Sequence, residues 1–115
     1  MISKKLFEKA QNIPVVKIEE GPKSIYIDMI YADRDGRHER TVSCDKNIEP
    51  TIENVRDILK CECKICSNFN INHPDFCALK IRAIKELTYR NYWRPEMWNF
   101  IVEEVRWYND LHNRD

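Results

Sequence analysis

Ser24-Ile25-Tyr26-Ile27-Asp28-Met29-Ile30-Tyr31-Ala32, then Asp33-Arg34-Asp35-Gly36-Arg37, then His38-Glu39-Arg40-Thr41-Val42-Ser43-Cys44: this stretch decides the fold. In its first part Ile25, Ile27, Met29 and Tyr31 fall on one face and Tyr26, Asp28 and Ile30 on the other. A period of two predicts a β-strand. Asp35-Gly36 is the tightest point of a turn, because glycine reaches positive φ at little steric cost. His38 to Cys44 alternates again, with His38, Arg40, Val42 and Cys44 on one side, so the whole reads as a β-hairpin.

Toward the N-terminus, Val15 to Ile18 is a short β-branched run punctuated by Gly21-Pro22. Residues 3–11 predict a short helix, with Ser3 as N-cap, Leu6, Phe7 and Ala10 apolar, and Pro14 ending it. Toward the C-terminus the pattern turns helical. Thr51 caps a helix from Ile52 to Leu59, with Ile52, Val55 and Leu59 on one stripe. Asn72-His73-Pro74-Asp75 starts another, with proline in the first turn and an acid at the positive end of the dipole. It runs through Phe76, Leu79, Ile81, Ile84 and Leu87 to near Tyr89. Pro95 opens the last, whose broad stripe holds Met97, Trp98, Ile101, Val102, Val105 and Tyr108. The expected fold is α+β: an N-terminal hairpin or small sheet, a metal knuckle and C-terminal helices. All lie in one domain, 1–115, with 1–48 β-rich and 49–115 helical and metal-binding.

Composition bounds the function. The 115 residues carry 19 Lys plus Arg and 19 Asp plus Glu, a formal net charge of zero. A protein that simply coats nucleic acid needs a net basic surface. With 43% hydrophobic and 10% aromatic residues, the chain can build a core and is not a disordered tail. Gly21 and Gly36, the two glycines, cannot form a phosphate loop or a dinucleotide fingerprint. No apolar run approaches the roughly 20 residues of a membrane-spanning helix, so no membrane partner is expected. The charged start Met-Ile-Ser-Lys-Lys lacks the apolar stretch of a secretory signal. The expected location is the cytoplasm.

Five cysteines, an odd count, fit a reducing compartment better than a disulfide framework. Four of them, Cys61, Cys63, Cys66 and Cys77, fall within 17 residues, as Cys-x-Cys-x-x-Cys, ten residues, then Cys. Three thiols so close would bridge one another only under strain, but they converge readily on one soft cation. Zinc in a structural site takes four ligands. Cys77 is the nearest fourth and His73 the alternative. Two readings of Cys77 stand together, since it also shares a helical face with Ile81 and Ile84 and could be core. His73, beside Pro74 at a helix start, could equally serve as a cap. Cys44, at the end of a strand pattern, reads as packed rather than reactive. The common ferredoxin spacings differ from this one, which ranks zinc above an iron–sulfur cluster.

Cys61-Glu62-Cys63-Lys64-Ile65-Cys66-Ser67-Asn68-Phe69 resembles the zinc motif of the tRNA-guanine transglycosylase family, with Asp35-Gly36-Arg37 upstream and Arg90-Asn91-Tyr92 downstream also similar. That family carries Cys-x-Cys-x-x-Cys and then a zinc-binding His, and exchanges a guanine on a TIM barrel by aspartate catalysis. Arg90 stands where the resemblance puts the fourth ligand, and 115 residues cannot hold a barrel of about 250. The resemblance therefore implies a detached zinc subdomain or accessory subunit of a transglycosylase-like, base-modifying enzyme, without the catalytic aspartates.

Charge is uneven inside the neutral total. Lys80, Arg82, Lys85, Arg90 and Arg94 face one acid, Glu86, between residues 80 and 94. Glu96, Glu103, Glu104 and Asp110 face one base, Arg106, between 96 and 110. Tyr89, Tyr92 and Trp93 interleave with the basic stretch. Lys80, Arg82, Lys85, Arg90, Trp93 and Arg94 thus form a candidate nucleic-acid face of phosphate-binding cations and a stacking ring. The competing expectation is that the basic face pairs with the acidic helix beside it. Three indoles in 15 residues, Trp93, Trp98 and Trp107, also offer a protein partner or self-association through the C-terminal aromatic helix; of these, Trp98 reads as core.

Catalytic signatures do not emerge. The deaminase pattern His-x-Glu with Pro-Cys-x-x-Cys is absent, as is His-Glu-x-x-His. Cys44 and His38 lie on one strand about 20 Å apart, too far for a nucleophile–base pair. The expectation is a small protein with a structural zinc that acts by binding nucleic acid or protein, without catalysis of its own.

Overall fold

A computed structural model describes residues 2–33, 35–60, 64, 68 and 74–112; for 33, 74–76 and 108–112 it describes the backbone alone. The fold is α+β. Helix α1 (Lys4–Gln11) precedes strands β1 (Val15–Glu20), β2 (Ser24–Asp33) and β3 (Gly36–Asp45). Helices α2 (Ile52–Leu59), α3 (Pro74–Tyr89) and α4 (Pro95–His112) follow. The strands form one antiparallel sheet in the order β1-β2-β3.

The hairpin register runs without a slip from Ser24 opposite Asp45 to Asp33 opposite Gly36, and Gly36 takes φ 120° where the chain reverses. Only glycine adopts that angle without strain. Strand β1 runs on to Glu20, beyond the β-branched run that marks it in the sequence. Its register shifts between Val15 and Lys17, a bulge that leaves Val16 exposed. The alternation in β2 has a physical counterpart: Ile25, Ile27 and Met29 are fully buried and Tyr31 is 5% exposed. The opposite face is polar, with Thr41 donating to the Asp28 carboxylate at 2.6 Å and Lys17 paired with Glu19.

The inward face of the sheet lies on α3, which also touches α1, α2 and α4. Cys77, Ala78, Leu79, Ile81, Ala83, Ile84 and Leu87 are all buried, so α3 is apolar nearly all round, as a central helix must be. A single core joins Ile2, Ile13, the β2 residues and the inward faces of α2, α3 and α4. The β-rich and helical parts of the chain are therefore halves of one packed unit.

The helix ends follow local chemistry. Ser3 accepts from the Leu6 amide and Thr51 from the Asn54 amide, both at 3.2 Å, satisfying donors that a first turn leaves free. Helix α3 begins at Pro74, where the missing N–H costs nothing. It ends in a left-handed residue, Asn91 at φ 65°. The Tyr92 amide donates to the Leu87 carbonyl at 2.9 Å and the Asn91 amide to Thr88 at 3.2 Å, the Schellman arrangement. Among the described residues no helix is long and apolar enough to cross a membrane.

Candidate metal centre

Helix α2 delivers the chain to the cysteine cluster. Its cap Thr51 starts it, Val55 and Leu59 bury its inner stripe, and it ends at Lys60, the residue before Cys61. There the Lys60 carbonyl accepts from the Lys80 ammonium at 2.5 Å. Lys80 stands three residues after Cys77 on α3, a rise of about 4.5 Å along the helix axis. One side-chain length thus separates the end of α2 from the α3 turn that carries Cys77. Cys61, Cys63, Cys66 and the alternative ligand His73 lie outside the described residues.

Cys77 is 3% exposed and points into the core with Ile81 and Ile84. Burial pushes its thiol up to about 11, with Lys80 pulling the other way. Without a metal the group is a protonated, apolar-packed thiol. Binding a cation requires it to lose that proton, which a divalent metal drives. Of the two readings of Cys77, the core placement is the one the described residues show.

Cys44 is packed at the end of its strand, as its position in the pattern suggests. It is 7% exposed at the end of β3, and burial, then the Asp45 charge, push its thiol up to about 12, with Lys80 again opposing. A cleft of about 240 Å³ opens there, lined among others by Cys44, Ile48, Ile58, Lys60, Lys80 and Trp93. Both described cysteines thus sit in the field of one lysine, beside the carbonyl that leads into Cys61. No group of three His, Cys, Asp or Glu side chains converges among the described residues.

The candidate nucleic-acid face is dispersed into the fold. Lys80 is bound to the Lys60 carbonyl. Arg82 is mostly buried; its Nε donates to the Ile13 carbonyl at 3.1 Å and its Nη2 meets Glu86 at 2.6 Å. Arg90 meets the other Glu86 oxygen at 2.9 Å. Trp93 is 5% exposed, its indole N–H donating to the Asp45 carbonyl at 2.8 Å, which takes its ring out of reach of a stacking base. Arg94 is exposed and 3.5 Å from Glu96, and Lys85 is half-buried on α3.

The expected pairing of the basic stretch with the acidic helix is met among the described residues by Arg94 and Glu96; the remaining ion pairs run differently. Glu86, inside the basic stretch, bridges Arg82 and Arg90, each one turn away. Glu104 of α4 instead meets Arg56 of α2 at 2.9 Å. Burial raises the Glu86 carboxyl, but hydrogen bonds from Arg90 and Arg82 and their charges outweigh it and hold the group below the usual carboxylate range. The i−4 and i+4 spacing of the two arginines about Glu86 carries this bridge in the sequence. Of the other two indoles, Trp98 is half-buried, its ring stacked on Phe7 with centroids 5.5 Å apart. Trp107 is 55% exposed, and Tyr89, at the far end of α3, is 81% exposed.

Comparison of the chain with family models, with curated proteins and with solved structures finds no match.

Proposed function

We propose that this chain is a small zinc-binding protein whose metal is structural, held by Cys61, Cys63, Cys66 and Cys77, with His73 as the alternative fourth ligand. It acts by binding another protein. The observation that carries the metal is the Lys60–Lys80 contact, which sets the residue before Cys61 beside the α3 turn of Cys77. A four-thiolate donor set suits a closed structural site rather than an open catalytic one, because it leaves no position for water and dampens Lewis acidity.

The choice of partner rests on charge and exposure. Nucleic-acid binding needs cations free to meet phosphates. Lys80, Arg82 and Arg90 are already engaged within the protein, and Trp93 is buried. Val16, Tyr26, Tyr89 and Trp107 are the large apolar side chains left open among the described residues, and the aromatic three are of the kind that anchors protein interfaces.

Elemental analysis of the purified full chain tests the metal. One zinc per chain is expected, with Cys61→Ser and Cys77→Ser losing it and Cys44→Ser retaining it. A folded chain free of zinc overturns the metal centre, and full zinc in Cys77→Ser moves the fourth ligand to His73. Titration with a labelled RNA hairpin at two salt concentrations tests the partner class. Weak binding with a shallow salt dependence is expected; tight binding that falls steeply with salt makes the partner a nucleic acid.

A further inference from the structure

Strand β3 closes one side of the sheet, but its own outer edge stays open. It touches β2 and α3, and among the described residues no other element lies against it. The Lys46 amide donates to the Lys23 carbonyl at 2.9 Å, which fixes the alternation of the ladder: bonded pairs follow at Ile25–Cys44, Ile27–Val42 and Met29–Arg40. The residues between, Arg37, Glu39, Thr41, Ser43 and Asp45, therefore aim their N–H and C=O groups off the free edge. All five are exposed. Among the described residues two of these backbone groups have partners. The Asp45 carbonyl takes the Trp93 indole N–H, and the Glu39 carbonyl takes an exposed contact from the Arg40 guanidinium at 3.3 Å.

An open strand edge is a template for another strand, and proteins blunt such edges with bulges, lysines or prolines. Strand β1, the opposite edge, has a bulge between Val15 and Lys17, and Lys17 itself. Strand β3 has ten residues in unbroken register, with no bulge, lysine or proline.

The charges on β3 say which strand fits it. Arg37 and Asp45 stand at opposite ends of the edge, and neither makes an ion pair among the described residues. A second β3 laid antiparallel about a two-fold axis at Thr41 sets Arg37 opposite Asp45 of the other copy, twice. Glu39 then meets Ser43, Arg40 meets Val42 and His38 meets Cys44, so no like charges stand directly opposite. An axis at Glu39 would instead set Glu39 against itself and His38 against Arg40. The cleft of about 240 Å³ beside Val42–Asp45 leaves room on the inner side of the edge for incoming side chains. We propose that β3 is a self-association edge, through which two copies of this chain pair antiparallel and join their sheets into one. The contact is isologous, so it closes at a dimer. This inference stands apart from the zinc centre and from the exposed aromatic residues.

Sedimentation equilibrium of the full chain over about three decades of concentration tests it. A monomer–dimer equilibrium is expected in wild type, a weak one, because a strand pair buries less than the roughly 1,200 Å² of a stable complex. Thr41→Pro removes an outward N–H but no ladder bond, a position where an edge strand tolerates proline, and should stay monomeric throughout. Arg37→Asp and Asp45→Arg should each weaken the dimer about tenfold, since each sets like charges opposite one another twice. The double variant Arg37→Asp with Asp45→Arg restores both pairs and should return to within about threefold of wild type. Trp107→Ala, on the aromatic helix, should dimerise as wild type does. Circular dichroism checks the fold of each variant, and if Thr41→Pro unfolds the charge variants decide alone.

A wild type that is monomeric at every concentration overturns the inference. A dimer that survives a folded Thr41→Pro does so too, and one lost in Trp107→Ala belongs to the C-terminal helix instead. A double variant no tighter than the single ones rejects the pairing about Thr41. Species that grow beyond the dimer reject the two-fold contact.

Discussion

Asn91 ends α3 at φ 65°, a conformation that costs an ordinary L-residue roughly 1–2 kcal/mol. Asparagine tolerates it better than most residues, and glycine better still. Asn91→Gly should therefore match or exceed wild type in a urea melt, while Asn91→Val should lose about 1–2 kcal/mol. A valine variant as stable as wild type would mean that the helix end can relax to another geometry. Trp93, two residues on, is fixed by the same turn. Its indole bond to the Asp45 carbonyl ties the α3–α4 connection to the end of β3, 48 residues away. Trp93→Phe should cost about 2 kcal/mol, from the lost bond and the smaller ring, with zinc content unchanged. These two neighbours mark where reading the sequence stops. The helix end near Tyr89 is legible from its stripe; the left-handed cap at Asn91 is seen in the structure, though its cause, asparagine's αL preference, is local. The burial of Trp93 is not legible, because it depends on a carbonyl in a strand that no periodicity connects to it. Its interleaving with Arg90 and Arg94 suggests a stacking ring just as readily.

At the scale of elements, what is local in cause was readable and what is tertiary was not. The β2 alternation, the Ser3 and Thr51 caps and the Pro74 and Pro95 helix starts each depend on residues within a few positions, and each appears where the sequence puts it. The sequence puts the acids of α4 opposite the bases of α3, but Glu104 turns to Arg56 on α2 and the α3 arginines turn inward to Glu86. That bridge gives α3 a pH dependence with a definite sign. Glu86 is held below its unfolded value, so the stability it contributes is fully present above a pH of about 4.3 and fades as pH falls through the depressed folded value. Glu86→Gln removes the charge between two arginines. It should cost roughly 1–3 kcal/mol at pH 7, because Arg82 is nearly as buried as Glu86 and keeps only its bond to Ile13. The difference between wild type and Glu86→Gln in urea midpoint should shrink as the pH is lowered from 5 to 3. A gap that stays constant across that range would show that the bridge contributes no charge-dependent stability.

For the whole molecule, the consequence of the proposed zinc follows from which parts of the core depend on it. The sheet reaches α3 through Ile25, Ile27 and Met29, which pack into one core with Ile81, Ile84 and Leu87 and need no metal. Helix α2, with eight residues, is too short to persist alone and buries only Val55 and Leu59. Its end is held by Lys80 and, on the zinc reading, by the cysteines that follow. On that reading the metal ties a short helix to the central one. A ligand present at a thousandfold excess over its dissociation constant contributes about 4 kcal/mol to the folded state. Chelation should accordingly lower the melting temperature by about ten degrees or more for a domain of this size. The loss should be uneven. Amide hydrogen exchange should accelerate first in α2 and in the first turns of α3 around Cys77 and Lys80, then in α4 where Arg56 meets Glu104, and last in β2, β3 and the Ile84–Leu87 turn. Loss of protection that begins in the hairpin, or a melting temperature indifferent to chelator, is incompatible with a metal that joins α2 to α3.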